Sequence, residues 1–241
     1  MKQITLLFTL ICLTISVFGQ SFTGKVTVTN SLQPDLVTTF IVDGDKAAIM
    51  PEGPGIYPGM KHIVDRNTGD YHTVVPLDGK IRLSTVNLSD PVFASITSNQ
   101  AEPEVLKTSE SKTIDGFSAT KYLVKYPQGV AEVWASKDIK NLDLASFMSA
   151  KSLIREGKFY ALNQVEGFVL EIHSTNPRGG EKLVIKNKVE AQTVDASVFT
   201  LPSGSNVINI NELNQQIKDA QDDPQKVKEL KENLKEIHKN K

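Results

Sequence analysis

The chain has 241 residues, 39% hydrophobic and 23% charged, with 27 basic against 28 acidic side chains. That apolar content can bury a core, which excludes a mostly disordered chain, and the near-balance of charge excludes a bulk attraction to nucleic acid or an anionic membrane surface. The single cysteine cannot form an internal disulfide.

Residues 1–19 read as an export signal. Lys2 gives a short positive start, and Ile4 to Val17 is an uncharged apolar run too short for a comfortable membrane span. Val17-Phe18-Gly19 then predicts a cut after Gly19. Cys12 lies inside the run behind Leu10-Ile11, not behind the small residues that a lipoprotein signal needs. Removal of this leader takes the only thiol with it, and with it thiol catalysis, cysteine-ligated zinc and disulfides. The expectation is a periplasmic or secreted protein that is not integral to a membrane.

From residue 20 to 210 the texture is Val, Thr and Ile in short alternating runs, separated by Gly, Pro, Asn and Asp. This predicts an antiparallel β domain. Strands are expected at Phe22–Asn30, Leu36–Asp43, Lys46–Met50, Lys61–Arg66, Tyr71–Val75 and Ile81–Val86. Further strands are expected at Val105–Ile114, Ser118–Tyr126, Val130–Ser136, Phe168–Ser174 and Lys182–Gln192. The links are short and rich in Gly, Asn and Asp, as antiparallel neighbours require. In Phe168–Ser174, strict alternation puts Phe168, Leu170 and Ile172 on one face, and Val169, Glu171 and His173 on the other, wet one. The apolar face needs a cover, and residues 141–155 are expected to supply it as a helix, through Leu144, Phe147, Met148 and Ile154.

Residues 211–241 differ in kind. They hold seven Lys among seven Asp or Glu, with no Gly and no aromatic residue. Leu213, Ile217 and Ala220 mark one apolar stripe, and Val227, Leu230, Leu234 and Ile237 a second. Asp223-Pro224 between them predicts an N-cap and a first helical turn, hence two short helices.

Two segments carry a resemblance. One is Lys112-Thr-Ile-Asp-Gly-Phe-Ser-Ala-Thr-Lys-Tyr122, followed by Ala131-Glu-Val-Trp134; the other is Val198-Phe-Thr-Leu-Pro-Ser-Gly204. Together they resemble the secreted bacterial family called domain of unknown function 4412, over roughly Phe22 to Val207. More remotely, the strand order and the closing Phe-Pro-Gly look like the LolA/LolB lipoprotein carriers. That resemblance implies a mainly β (α+β) fold, a half-open antiparallel β-barrel with a covering helix, and binding of a lipid or other hydrophobic ligand. The helical tail lies outside the family pattern.

Motifs for catalysis are missing. His62, His72, His173 and His238 show no H-x-H or H-E-x-x-H spacing. His62 and His72 meet on one face of their hairpin only with a three-residue loop, and fall on opposite faces with a two- or four-residue loop. There is no G-x-S-x-G elbow, Walker loop, dinucleotide fingerprint or EF-hand loop. No enzyme activity, metal or cofactor is expected. The Pro51–Gly59 loop carries Ile56 and Tyr57, which could form an apolar rim over a sheet cavity. The candidate ligand-binding side chains are therefore Trp134, Phe147, Met148, Phe168, Leu170, Ile172, Ile56 and Tyr57. The expected function is an exported, non-enzymatic carrier or sensor of a hydrophobic ligand. The alternative is a cell-envelope interaction module that docks a protein partner through residues 211–241.

Overall fold

The computed structural model describes residues 21–88, 104–126, 129–147, 164–175, 182–220 and 223–239. The export signal, Met148 and the rest of the expected helix beyond Phe147 lie outside them.

All eleven expected strands are present. They are β1 Thr23–Asn30, β2 Gln33–Asp43, β3 Lys46–Glu52, β4 Lys61–Asp65, β5 Asp70–Leu77 and β6 Lys80–Asn87, then β7 Glu104–Ile114, β8 Phe117–Tyr126, β9 Gly129–Ser136, β10 Phe168–Thr175 and β11 Lys182–Ala191. A twelfth, β12 Val207–Asn209, is too short for alternation to reveal. The turns explain the hairpins. Asp78-Gly79 and Asp115-Gly116 each hold two successive residues at positive φ, the type I′ geometry that matches strand twist.

The strands form one sheet in the order β12-β6-β5-β4-β3-β2-β1-β11-β10-β9-β8-β7. Two meanders, β1–β6 and β7–β11, are joined where β1 pairs antiparallel with β11, Val26 opposite Val189. Among the described residues only β12 runs parallel to its neighbour, β6. The sheet is not closed into a barrel, since β7 and β12 are its two edges. It is bent, however. Arg66, just past β4, and Phe168 on β10 are five strand spacings apart, roughly 24 Å in a flat sheet, yet they line one cleft.

Three apolar clusters lie on this sheet. The largest joins both meanders: Val26, Phe40, Val42, Ile49 and Val64 from the first meet Trp134, Phe168, Leu170 and Val189 from the second, with Ile139, Leu142 and Phe147 from the β9–β10 connection. A second, on the opposite face of β8–β10, contains Tyr122, Val124, Val133 and Val169. A third, on β4–β6, centres on Ile63, Val74 and Leu83.

Strict alternation fails at one point in β10. Val169 pairs with Ala135, but Glu171 pairs with Trp134, so Leu170 is an extra residue that shifts the register. Phe168 and Leu170 enter the largest cluster, whereas Ile172 packs against the second. The expected common face for Phe168, Leu170 and Ile172 is thus corrected, and Glu171 and His173 turn to the Trp134 side instead of a wet face.

The expected helix over 141–155 is also corrected in its described part. Asn141 has φ +56°, outside the helical range, and only Ala145–Phe147 forms a 3-10 turn. That turn is held by Ser146, whose Oγ donates to the Asp143 carbonyl at 2.7 Å.

After β11 the chain passes over β4–β6, where Phe199, Leu201 and Val207 cover the third cluster. Lys61 Nζ ties this cover down by donating to the Val198 carbonyl at 3.0 Å. The tail then forms α1 Ile210–Asp219 and α2 Pro224–Lys239. Asn209 caps α1, and Asp223 accepts from the N–H groups of Gln225 and Lys226 at the start of α2. Among the described residues no helix is long and apolar enough to cross a membrane.

Candidate functional site

The 112–122 segment and the tryptophan strand build one object. The Asp115-Gly116 turn folds β7 onto β8, so Lys112 and Lys121 both reach Trp134. Lys112 Nζ stands 4.4 Å from the indole centroid and Lys121 Nζ 5.9 Å. Lys112 Nζ also donates to Glu171 Oε2 at 2.5 Å, and His173 Nε2 lies 3.1 Å from the same oxygen. Burial alone would push the Glu171 carboxyl up, but the hydrogen bonds from Lys112 and His173 outweigh it and hold it below the usual carboxylate range. Ile114 and Phe117 pack beside Trp134 in the largest cluster. Every one of these groups is occupied by its neighbours, so the cluster holds the fold together.

Open space lies farther along the same face. A cleft of about 670 Å³ has Ile139, Leu142 and Phe168 as its apolar lining, with Arg66, Lys137 and Lys140 as cations and Asp143 as the acid. The volume falls within the range usual for small-molecule sites. Its floor is set by Gly167, which has φ +98° and on which any Cβ would collide with the Ser136 carbonyl of β9.

Arg66 is the most constrained polar group of the cleft. Its guanidinium lies 4.4 Å over the Phe147 ring. Nη1 donates to Ser146 Oγ at 2.8 Å, and Nη2 donates to Asp45 Oδ1 at 2.8 Å and to the Gly44 carbonyl at 3.2 Å. Nε is buried, and among the described residues it has no acceptor. Lys137 Nζ, at the rim, binds Glu166 Oε2 at 2.6 Å. Glu166 also takes Lys107, and hydrogen bonds from these two lysines bring its carboxyl down to about 2.

Of the side chains expected to contact ligand, Phe168 lines the cleft. Trp134, Phe147 and Leu170 are buried in the largest cluster and do not line it. Ile172 is on the other face of the sheet. Ile56 and Tyr57 sit half-buried in a run of tight turns, Ile56 N to the Gly53 carbonyl and Met60 N to the Tyr57 carbonyl, away from the cleft lining. Met148 is outside the described residues. Sequence reasoning missed Arg66, Lys137, Ile139 and Leu142. Only the Gly and Asp residues bordering these turns hinted at a loop cluster there.

The histidine question is settled by the β4–β5 turn. Asp65 pairs with Asp70, which leaves a four-residue loop and puts His62 and His72 on opposite faces. His62 rests against Thr73 and the Tyr71 ring, and burial lowers its pKa; burial also pushes Tyr71 up to about 12. His72 bonds Thr85 Oγ1 at 2.8 Å. Among the described residues no group of three His, Cys, Asp or Glu is placed to hold a metal ion.

A family model described as Domain of unknown function (DUF4412) matches residues 54–205. The chain belongs to this family. The DUF4412 match runs from the loop before β4 through β11 to the Phe199–Pro202 cover, so it contains both motif segments and the whole cleft lining except Ser21. No curated protein matches. Among solved structures, PNGF-II in space group C2 is 18% identical, over 87% of this chain and 32% of that one, with a TM-score of 0.40. The C2 match therefore spans about a third of the PNGF-II chain. PNGF-II in space group P21 gives 16% identity and a TM-score of 0.41, over 81% of this chain and 33% of that one. An uncharacterized conserved protein from Thermus thermophilus is 10% identical, over 78% of this chain and 90% of that one, with a TM-score of 0.41.

Proposed function

We propose that this DUF4412 protein is an exported, non-catalytic binding protein of the cell envelope that holds a lipid or other apolar small molecule. The observation that carries the reading is the cleft of about 670 Å³, where Ile139, Leu142 and Phe168 present the edge of the largest apolar cluster. Burial of apolar surface there, at about 25 cal/mol per Å², supplies the driving force without any covalent step. The site stands on the start of β10 and on the connection that follows β9. The leader-like pattern of residues 1–19 supports export. The reading includes a LolA-like half-barrel, and the bend that brings Arg66 to Phe168 supports it.

The test is native mass spectrometry of protein purified from a bacterial envelope without detergent. A co-purifying mass of a few hundred daltons is expected, and it should fall away in Leu142→Asp, which puts a charge on the apolar lining. Bare protein in repeated preparations, together with no saturable binding of added alkyl probes, would overturn the reading.

A further inference from the structure

We propose that α2 is a docking surface for an anionic phospholipid bilayer, with its lysine edge laid against the lipid head groups. This surface is separate from the cleft and does not depend on what the cleft holds. The near-balance of charge over the whole chain conceals a separation of sign around this one helix. At about 100° per residue, Val227, Leu230, Leu234 and Ile237 form one apolar stripe of α2. Lys228, Lys231, Lys235 and Lys239 follow one another along one edge of that stripe, and Lys226 stands at the other edge. Glu229, Glu232 and Glu236 fall on the back. The two signs are sorted around the helix, not mixed.

The fold leaves the described part of the lysine edge open to solvent. α1 stands on β6 and β12, and α2 packs on α1. Ala220 is buried, and Leu213, Ile217, Val227 and Leu230 are half-buried, so the two stripes hold the helical hairpin together. Lys226, Lys228 and Lys231 are exposed, as are Glu229 and Glu232. Among the described residues none of these five is in an ion pair. On the sheet, by contrast, Lys107, Lys112, Lys121 and Lys125 each bind a glutamate. The stripe also runs on beyond the length of α1, since α2 has 16 residues against 10 and continues through Leu234 and Ile237. An apolar stripe edged by lysines suits a bilayer surface, where the aliphatic stems cross apolar ground and the ammonium heads meet phosphates. Nucleic acid fits less well, because α1 and α2 hold no Phe, Tyr or Trp on which bases could stack. An acidic helix of another protein would need the whole stripe as its seam, and α1 already takes part of it.

The test uses protein purified from a bacterial envelope and measures its sedimentation with vesicles of phosphatidylcholine, alone or with about 30% phosphatidylglycerol. Binding to the anionic vesicles is expected to be roughly tenfold or more tighter than to the neutral ones, and to disappear at about 0.5 M salt. The combined substitution Lys228→Gln, Lys231→Gln and Lys235→Gln should weaken it by about tenfold or more. The combined substitution Glu229→Gln, Glu232→Gln and Glu236→Gln alters as many charges on the back of the helix and should bind no more weakly than the unaltered chain. Glutamine keeps good helix propensity, and Lys228→Arg, Lys231→Arg and Lys235→Arg together should retain binding, which separates charge from helix content. Equal binding to neutral and anionic vesicles, or a glutamine-for-lysine variant that binds like the unaltered chain, would overturn the proposal. So would tighter capture by a single-stranded oligonucleotide or by polyglutamate than by the vesicles. None of these outcomes touches the reading of the cleft.

Discussion

At the scale of single residues, two positions carry consequences that unfolding measurements can read. Gly167 sits at φ +98° with the Ser136 carbonyl in the place a Cβ would take. Gly167→Ala should cost about 1–3 kcal/mol from the backbone conformation alone, and more because β9 must move aside. Thermal unfolding of the variant checks this, and an unchanged midpoint would count against the close approach. Glu171 gives a pH dependence whose sign follows from its environment. Its folded pKa is depressed by Lys112 and His173, so its stabilisation is complete above the ordinary carboxyl value and disappears as pH falls through the folded one. The protein should therefore weaken in acid, below about pH 4.5, and Glu171→Gln should lose less stability between pH 6 and pH 3 than the unaltered chain. Denaturant midpoints at the two pH values decide it. The sequence showed Lys112 and Trp134 as motif residues, yet not their role. Their meeting depends on the Asp115-Gly116 turn, and Glu171 reaches them only because Leu170 is an extra residue in β10.

At the scale of elements, the strands were legible almost to the residue because alternation and turn chemistry are local signals. What local signals do not encode is register. Phe168, Leu170 and Ile172 alternate faultlessly in sequence, and one inserted residue in the pairing with β9 moves Ile172 to the other face. Arg66 was hidden for a related reason. It reads as the end of a strand, whereas its partners Asp45 and Ser146 come from 21 and 80 residues away. The edge of the sheet shows a third device. Asn211 continues the ladder with its side chain, accepting from the Thr85 N–H at 2.8 Å and donating to the Thr85 carbonyl at 2.7 Å. Asn211→Ala should loosen β12 and α1 from β6 by about 1 kcal/mol. Amide exchange at Thr85 should quicken roughly fivefold, while exchange in β1–β3 stays as it was. Equal quickening everywhere would show that the clamp is not local.

At the scale of the whole molecule, the two meanders share one core. Phe40 and Val26 belong to the first, and Trp134 and Phe168 to the second, all in the same cluster across the β1–β11 seam. They should unfold together. Trp134 is the sole tryptophan, so its fluorescence reports on the second meander. Phe40→Ala, a large-to-small change in the first meander, should cost about 3–5 kcal/mol and shift the Trp134 transition by as much as the circular dichroism transition. Two separate transitions would divide the core. The same packing explains why most side chains expected to touch ligand do not. Trp134, Phe147 and Leu170 are spent on joining the meanders, and the open space is left where the bent sheet brings the ends of β4 and β10 together. A remote resemblance conveys that a sheet has a concave side, but not how much of it is filled. The central claim is that a ligand occupies this remaining space. Amide NMR of the isotope-labelled protein titrated with decanoate tests it most directly. Saturable shifts confined to Arg66, residues 137–143 and Gly167–Phe168 are the expected result; no saturable shift, or shifts centred on α1 and α2, would contradict it.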